Sequence, residues 1–514
     1  MGKRVVVIGA GIAGLASAAL LLREGWDVVV VEKQHSVGGR AGELTVDGFR
    51  FDTGPSWYLM PEAFDEFFRA CGTSTARELD LVDLSPAYRV YNDDGAFLDI
   101  HSGVDNVVRL FESIEPGAGE RVRAYLARSS DIYAVALSSF LYTTFSHPTQ
   151  LLTRDVLTRL GSLALLLTRS LDRLVAAQFQ DYRLRQVLTY PAVFLSTEPT
   201  AAPALYSLMS HTDLVEGVCY PQGGFAAVVA AIARQAQGAT FLMDTAVTAI
   251  ERAEGRATGV RLDDGRFISA EAVVSAADLR HTETALLPQS ARTYPESYFA
   301  RRDPGLGTVL VFLGVRGALP ELAHHTLLFS KDWEPDFRAV YHAPEASRPL
   351  GASESIYVSK TSATDPAVAP EGCENLFVLV PVPAEENFGA GNAYGEEESP
   401  RVGAIADAAI HQIGTWLGIP DFAERIVVRR TVGPSDFARR YNSWAGGAVG
   451  PAHTLRQSAF FRGRNASRKV AGLYYAGATT VPGVGVPMCL ISAENIIKRL
   501  RGDTSAGPLA TDGS

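Results

Sequence analysis

The first thirty residues alternate apolar runs with turn residues in a way that predicts three elements. Residues 5–8 are a short β-rich run, residues 15–23 an alanine- and leucine-rich stretch ending before Gly25, and residues 28–31 a second apolar run ending at Glu32. That order reads as strand, helix, strand. Residues 48–56 predict another strand and a Gly-Pro turn. From residue 61 to about 210 helical periodicity dominates, including 61–71 and a long leucine-rich stretch over 153–188. A helix over 225–237 follows the turn at Gly223 and Gly224. Short strands over 246–251 and 259–262 come next, with a hairpin turn at 263–265. Residues 272–278 read as a buried strand re-entering the first sheet, and β-rich runs between prolines from about 308 to 382 predict a second sheet. Residues 473–478 are one more strand, and 483–488 lead into a helix from about 489 to 500.

Length and composition bound what these elements build. A chain of 514 residues, 47% hydrophobic and 20% charged, exceeds one core of usual size and is too apolar for disorder outside short segments. The Ser-, Gly-, Pro- and Asp-rich tail over 503–514 is the exception and is predicted to be disordered. A formal charge of -10 leaves no global footprint for nucleic acid. The four cysteines have neither zinc-site nor disulfide-framework spacing, which points to a reducing compartment. The early apolar run breaks at Gly9, so no cleaved signal is predicted, and no window reaches the ~18–20 apolar residues of a spanning helix.

The turn between the first strand and helix carries the chemistry. Gly9, Gly11 and Gly14 form G-x-G-x-x-G, and Glu32 stands at the tip of the second strand. Gly9 permits a tight turn, Gly11 lets backbone approach a pyrophosphate, and Gly14 lets the helix pack closely on the sheet, with its N-terminal dipole towards the phosphates. Glu32 is expected to accept both ribose hydroxyls. A carboxylate there repels a 2′-phosphate, so NADP is disfavoured and NAD or FAD remains.

The residues after Glu32 separate the two cofactors. Residues 32–41, Glu-Lys-Gln-His-Ser-Val-Gly-Gly-Arg-Ala, add a second glycine turn and an arginine, and this run resembles the extended signature of flavoproteins of the amine oxidase and carotenoid desaturase superfamily. The resemblance implies FAD, with Gly39 and Arg40 beside the pyrophosphate. It also implies that Gly54, Pro55 and Ser56 pass beside the isoalloxazine. Val247, Gly477, Val486 and Met488 complete the implied cofactor set. The closing helix is expected to face the flavin C2 carbonyl and N1, where negative charge accumulates on reduction. The fold class is then α/β. A discontinuous Rossmann-like FAD-binding domain is expected over 1–60, 218–285 and 466–502, with a mainly helical, possible membrane-contacting insertion over 61–217 and a mixed-sheet substrate domain over 286–465.

Further runs resemble bacterial phytoene desaturases: 51–56, 322–326, 364–370, 457–462 and 477–483. They imply dehydrogenation of phytoene towards lycopene, by hydride transfer to flavin N5 and proton loss from the adjacent carbon, with oxygen or a quinone as electron acceptor. Such chemistry calls for a long dry tunnel and one base. C30 desaturases of diapophytoene and other carotenoid oxidases and isomerases share these motifs. An amine oxidase is the rival within the fold. A non-enzymatic lipid-binding chaperone of related fold is the rival outside enzymology, and the intact Gly9, Gly11, Gly14, Glu32 and Arg40 set argues against it.

The resemblance places Arg154 and Asp155 as catalytic candidates, since an arginine beside a carboxylate can hold a base. His324 and His325 are read as structural, their side chains diverging on a strand. No metal motif is present. Between 154 and 185 six arginines face three aspartates, and Leu160, Leu163, Leu167, Leu171 and Leu174 recur at helical spacing. Such a helix either lies in a membrane interface or is a core helix with a basic outer face. The implied location is cytoplasmic, peripheral to the inner face of the cell membrane.

Overall fold

The computed structural model describes residues 3–146, 150, 165–342 and 348–510. Its first layer is a five-stranded, fully parallel sheet in the spatial order Leu473–Tyr475, Ala272–Ser275, Arg4–Ile8, Asp27–Val31, Thr240–Leu242. Strands buried on both faces read as continuous apolar runs. Val5, Val6 and Val7 are accordingly all fully buried, each contributing roughly 1.5–3 kcal/mol by leaving water. Helices Ile12–Arg23, Gly224–Gln235 and Val486–Arg501 share the core on one face, and the antiparallel sheet of Val247–Ala253, Arg256–Leu262 and Phe267–Ser269 packs on the other. The closing helix starts at Val486 because Pro487 is accommodated in its first turn, where no amide partner is needed.

The second layer is a seven-stranded mixed sheet, ordered Ile426–Val432, Leu306–Arg316, Cys373–Pro383, Ile356–Ser359, His325–Phe329, Tyr88–Asn92, Phe97–Ile100. The 61–217 insertion, expected to be mainly helical, therefore donates two strands, and Tyr88–Asn92 pairs in parallel with His325–Phe329. Helix Pro400–Trp416 covers one face of this sheet, and an aromatic core fills the other.

Two expectations need correction. The described part of the stretch read as one helix over 153–188 is broken: Ser170 caps Leu171–Ala176 and Asp181 caps Tyr182–Thr189, each side chain taking a backbone amide. Leu171 and Leu174 pack in the core, while Leu160 and Leu163 lie outside the described residues. The tail expected to be disordered from 503 docks instead over 503–510. Lys498 Nζ donates to the carbonyls of Ser505 and Gly507 at 2.7 and 2.6 Å, and Leu509 is buried with its amide on Glu494 at 3.1 Å. No described helix is long and apolar enough to cross a membrane.

Candidate active site

The dinucleotide turn is built by backbone contacts that glycine alone allows. A Cβ on Gly14 would lie 1.9 Å from the Gly9 carbonyl oxygen, so the first turn of the helix presses directly on the loop. Gly11 bridges Gly38, whose amide donates to Ala10 O at 2.9 Å, setting the two glycine turns back to back with Gly39 against Gly11. Glu32 is buried. It accepts from the amides of Ala10 at 2.7 Å and Gln34 at 2.9 Å, each on a different carboxylate oxygen, so each keeps a lone pair for a ribose hydroxyl. Val247 starts the neighbouring antiparallel strand, and Thr245, two residues earlier, donates its amide to Glu32 O at 2.9 Å.

Arg40 tests whether this cradle fits a pyrophosphate. Its Nη2 donates to Ser443 Oγ at 2.7 Å, but its Nε is buried with no hydrogen-bond partner among the described residues. A buried guanidinium donor without an acceptor, beside uncapped amides at the start of Ile12–Arg23, suits a phosphate. Asp278 lies close enough to feel the Arg40 charge. Burial nevertheless raises its carboxyl above the ordinary range, while the amides of Arg280 and Trp444 donate to it at 2.8 and 3.2 Å. A Cβ on Gly54 would meet the Arg40 carbonyl oxygen at 2.1 Å, which brings Pro55 and Ser56 to the same place. Gly477 lies two residues past the last strand, its amide held by Ser492 Oγ at 2.8 Å. The helix behind it begins at Val486 with no side-chain cap and no acidic residue in its first turn, leaving its amides for an acceptor. The Met488 side chain itself packs into a cluster with Met60, Ala63 and Tyr133.

Beside Ser56 the space is aromatic. Trp57 stacks on His325 with ring centroids 4.5 Å apart and lies 5.2 Å from Tyr88, 5.2 Å from Phe194 and 6.2 Å from Tyr190. Where the chemistry calls for a dry tunnel, these rings pack one on another. Ser56 Oγ meets Tyr357 Oη at 2.8 Å, and Tyr357 Oη meets His325 Nδ1 at 2.7 Å. His324 and His325 do not diverge: their rings touch edge to face at 4.5 Å, because His324 precedes the regular strand. Burial drives both well down, His324 to about 3.

Arg154 and Asp155 lie outside the described residues. Several residues that shape the site carry no sequence signal of their own. Ser443 anchors Arg40 from 403 positions away. Asp52 sits in the 51–56 run, yet its task is to accept the amides of Phe225 and Ala226 at the start of Gly224–Gln235. The aspartate paired with a Gly-Gly helix start was the available clue, since Gly224 is where a Cβ would strike that carboxylate.

A parallel sheet with two facing glycine turns, a buried carboxylate at the tip of its second strand and an uncapped closing helix are the frame of a flavin-binding oxidoreductase. Residues 12–496 match the family described as flavin containing amine oxidoreductase, and the chain belongs to that family. It is an FAD-dependent oxidoreductase, which sets aside the chaperone alternative. It is 39% identical to a carotenoid 3,4-desaturase of Haloarcula japonica, covering 97% of this chain and 98% of that protein. It is 35% identical to a zeta-carotene-forming phytoene desaturase of Myxococcus xanthus, over 97% and 94%. In fold it is similar to a Methanosarcina mazei oxidoreductase, with a TM-score of 0.60 and 18% identity over 96% and 100% of the two chains. It is also similar to putrescine oxidase bound to putrescine, with a TM-score of 0.58 and 16% identity over 98% and 99%.

Proposed function

We propose that this enzyme is a carotenoid desaturase that introduces double bonds into an acyclic polyene, acting on phytoene towards lycopene. The observation that carries the reading is likeness over nearly the whole chain to proteins named as desaturases of such polyenes, with the aromatic site beside Ser56 in agreement. Bound FAD supplies the two-electron acceptor. The chain supplies the rest. Gly9, Gly11, Gly14, Glu32, Gly39 and Arg40 hold the nucleotide, and Gly54 to Ser56 with Gly477, Val486 and Met488 frame the other end. The faces of Trp57, Tyr88, Tyr190 and Phe194 offer negative potential to positive charge that develops on a polyene carbon, with Tyr88 and Tyr190 buried and Trp57 and Phe194 partly so.

A second reading, desaturation at the 3,4 bond of an already conjugated carotenoid, is favoured by the name of the Haloarcula relative. A C30 polyene is the other substrate in play, since a Staphylococcus aureus relative at 28% identity is named as a 4,4′-diapophytoene desaturase. Expression with a supply of phytoene, lycopene or diapophytoene, followed by pigment extraction, distinguishes the three; unchanged phytoene beside a converted alternative moves the assignment.

A polyene that dissolves only in lipid brings the enzyme to a membrane surface, and electrons leave to a quinone or oxygen. Phe460 and Phe461 are each 48% exposed with rings 4.3 Å apart, Leu455 is 40% exposed, and together they offer an apolar contact for the bilayer. Sedimentation with liposomes tests this: Phe460→Ser with Phe461→Ser is expected to leave the protein in the supernatant.

A further inference from the structure

Asp213 is the buried carboxylate next to the aromatic site. It is 2% exposed and sits in the turn before the strand Cys219–Pro221. Its Oδ2 accepts from Tyr190 Oη at 2.8 Å and Tyr88 Oη at 3.2 Å. Its Oδ1 is buried with no hydrogen bond among the described residues, although the amides of Asp213 and Leu214 lie close enough to favour the charged form. The two tyrosines are the rings that pack on Trp57, the residue after Ser56. One carboxylate oxygen is thus fixed by two phenols and the other has no side-chain partner among the described residues, one ring layer from the segment expected beside the flavin.

We propose that Asp213 is the proton acceptor of the desaturation, with Oδ1 as the receiving atom. This rests on the desaturase reading. As one substrate carbon loses a hydride to the enzyme's two-electron acceptor, its neighbour gives a proton to Oδ1. The electron pair of that second C–H bond becomes the new π bond, so the carboxylate ends as a carboxylic acid and the substrate is oxidised by two electrons. For a carbon to reach Oδ1 the rings packed on Trp57 must part.

Burial raises the Asp213 carboxyl to about 7, against the hydrogen bonds of Tyr190 and Tyr88, which favour the charged form. That is where a general base works best near neutral pH. The groups facing it are Tyr88, Tyr190 and Tyr125, with Arg128 beyond Tyr125, and His211 and Glu216 on its own stretch, 3.2 Å from each other. Two buried histidines near the site are worse suited. His325 is engaged by Tyr357 and His453 by Tyr206 and the Val484 amide, and burial holds both imidazoles well below their usual range.

Asp213→Asn keeps an acceptor for both phenols and removes the base. With phytoene and lycopene, each in phosphatidylcholine vesicles, wild type is expected to show a turnover rate that rises with pH through about 7. The variant is expected to retain its flavin and to lose about 100-fold or more in turnover, together with that pH limb. Independently of activity, the infrared pH-difference spectrum of wild type is expected to contain a carboxylic acid band with a midpoint near 7 that Asp213→Asn lacks. A variant within about threefold of wild type, or a spectrum without an Asp213-dependent band, overturns the assignment. Should Asp213→Asn lose its flavin, Tyr190→Phe decides: loss of a phenol that stabilises the anion must move both limb and band to higher pH, and an unmoved limb overturns the proposal. A wild type that converts neither polyene sinks the desaturase reading and this assignment together, whereas an active wild type with an unimpaired Asp213→Asn sinks the assignment alone.

Discussion

Arg462 donates from Nη2 to the carbonyl oxygen of Ala478 at 2.7 Å, and the same buried guanidinium reaches Thr480 O through Nε at 3.1 Å. Its Nη1 spans to the carbonyls of Pro451 and Gln457 at 3.2 and 3.3 Å. One cation therefore ties the loop after the last nucleotide strand to the segment that precedes it. Burial lowers this guanidinium only to about 10, so it stays charged at neutral pH.

Arg462→Met leaves several carbonyls buried without donors, and a loss on the order of 3 kcal/mol is expected. Thermal melting should show it directly. Flavin occupancy is expected to fall as well, because the loop leads to the uncapped helix at Val486, and Arg462→Lys should recover part of both losses.

Gly14→Ala places a methyl group against the Gly9 carbonyl, where backbone cannot yield cheaply. The helix must shift off the sheet, and the variant is expected to purify with little flavin, read as the ratio of visible to protein absorbance. Gly255→Ala is the control, since a Cβ there meets nothing within 4 Å, although its positive φ carries a modest strain.

Glu32→Ala removes a carboxylate that already accepts two amides. Hydrogen bonds to charged groups are worth about 1.5–3 kcal/mol, so the dissociation constant for FAD is expected to rise roughly 10–100-fold in a chain that still folds. Fluorescence titration of the apoprotein with FAD measures it, and undiminished affinity would mean that the ribose lies elsewhere.

Glu494, fully buried in the closing helix, has its carboxyl pushed up to about 7 by burial. The folded state therefore holds this proton more tightly than the unfolded chain. Its contribution is fully present below the ordinary carboxyl range near 4.5 and is lost as pH rises through about 7. Glu494→Gln, which can still accept the Leu509 amide, is expected to melt higher than wild type at pH 8, by an amount on the order of 3 kcal/mol at most, and little differently at pH 4.

The nucleotide half of the molecule was legible because its signals are local. The run 5–8, the glycine turn and Glu32 lie within one βαβ unit, and the elements fall where the pattern puts them. The second sheet was legible only in part. Tyr88–Asn92 and Phe97–Ile100 are short and sit between helices, and His325–Phe329, the strand through which Tyr88–Asn92 joins them to the sheet, is more than two hundred residues away, so pairing rather than local pattern decides them. The break at Ser170 escaped because two N-caps were hidden inside a leucine repeat that continues across them. The active-site side was least legible. Nothing around Asp213 marks it out until Tyr88, Tyr190 and Trp57 are brought to it from three separate segments.

The parallel sheet takes its outermost strand, Leu473–Tyr475, from near the end of the chain, and the helix that completes the cradle comes after it. During synthesis the glycine turns leave the ribosome first but wait for more than four hundred further residues before the last of their neighbours arrives. A chain that has not yet delivered Val486–Arg501 lacks one wall of the cradle, so forms stalled or cut before that helix should emerge colourless.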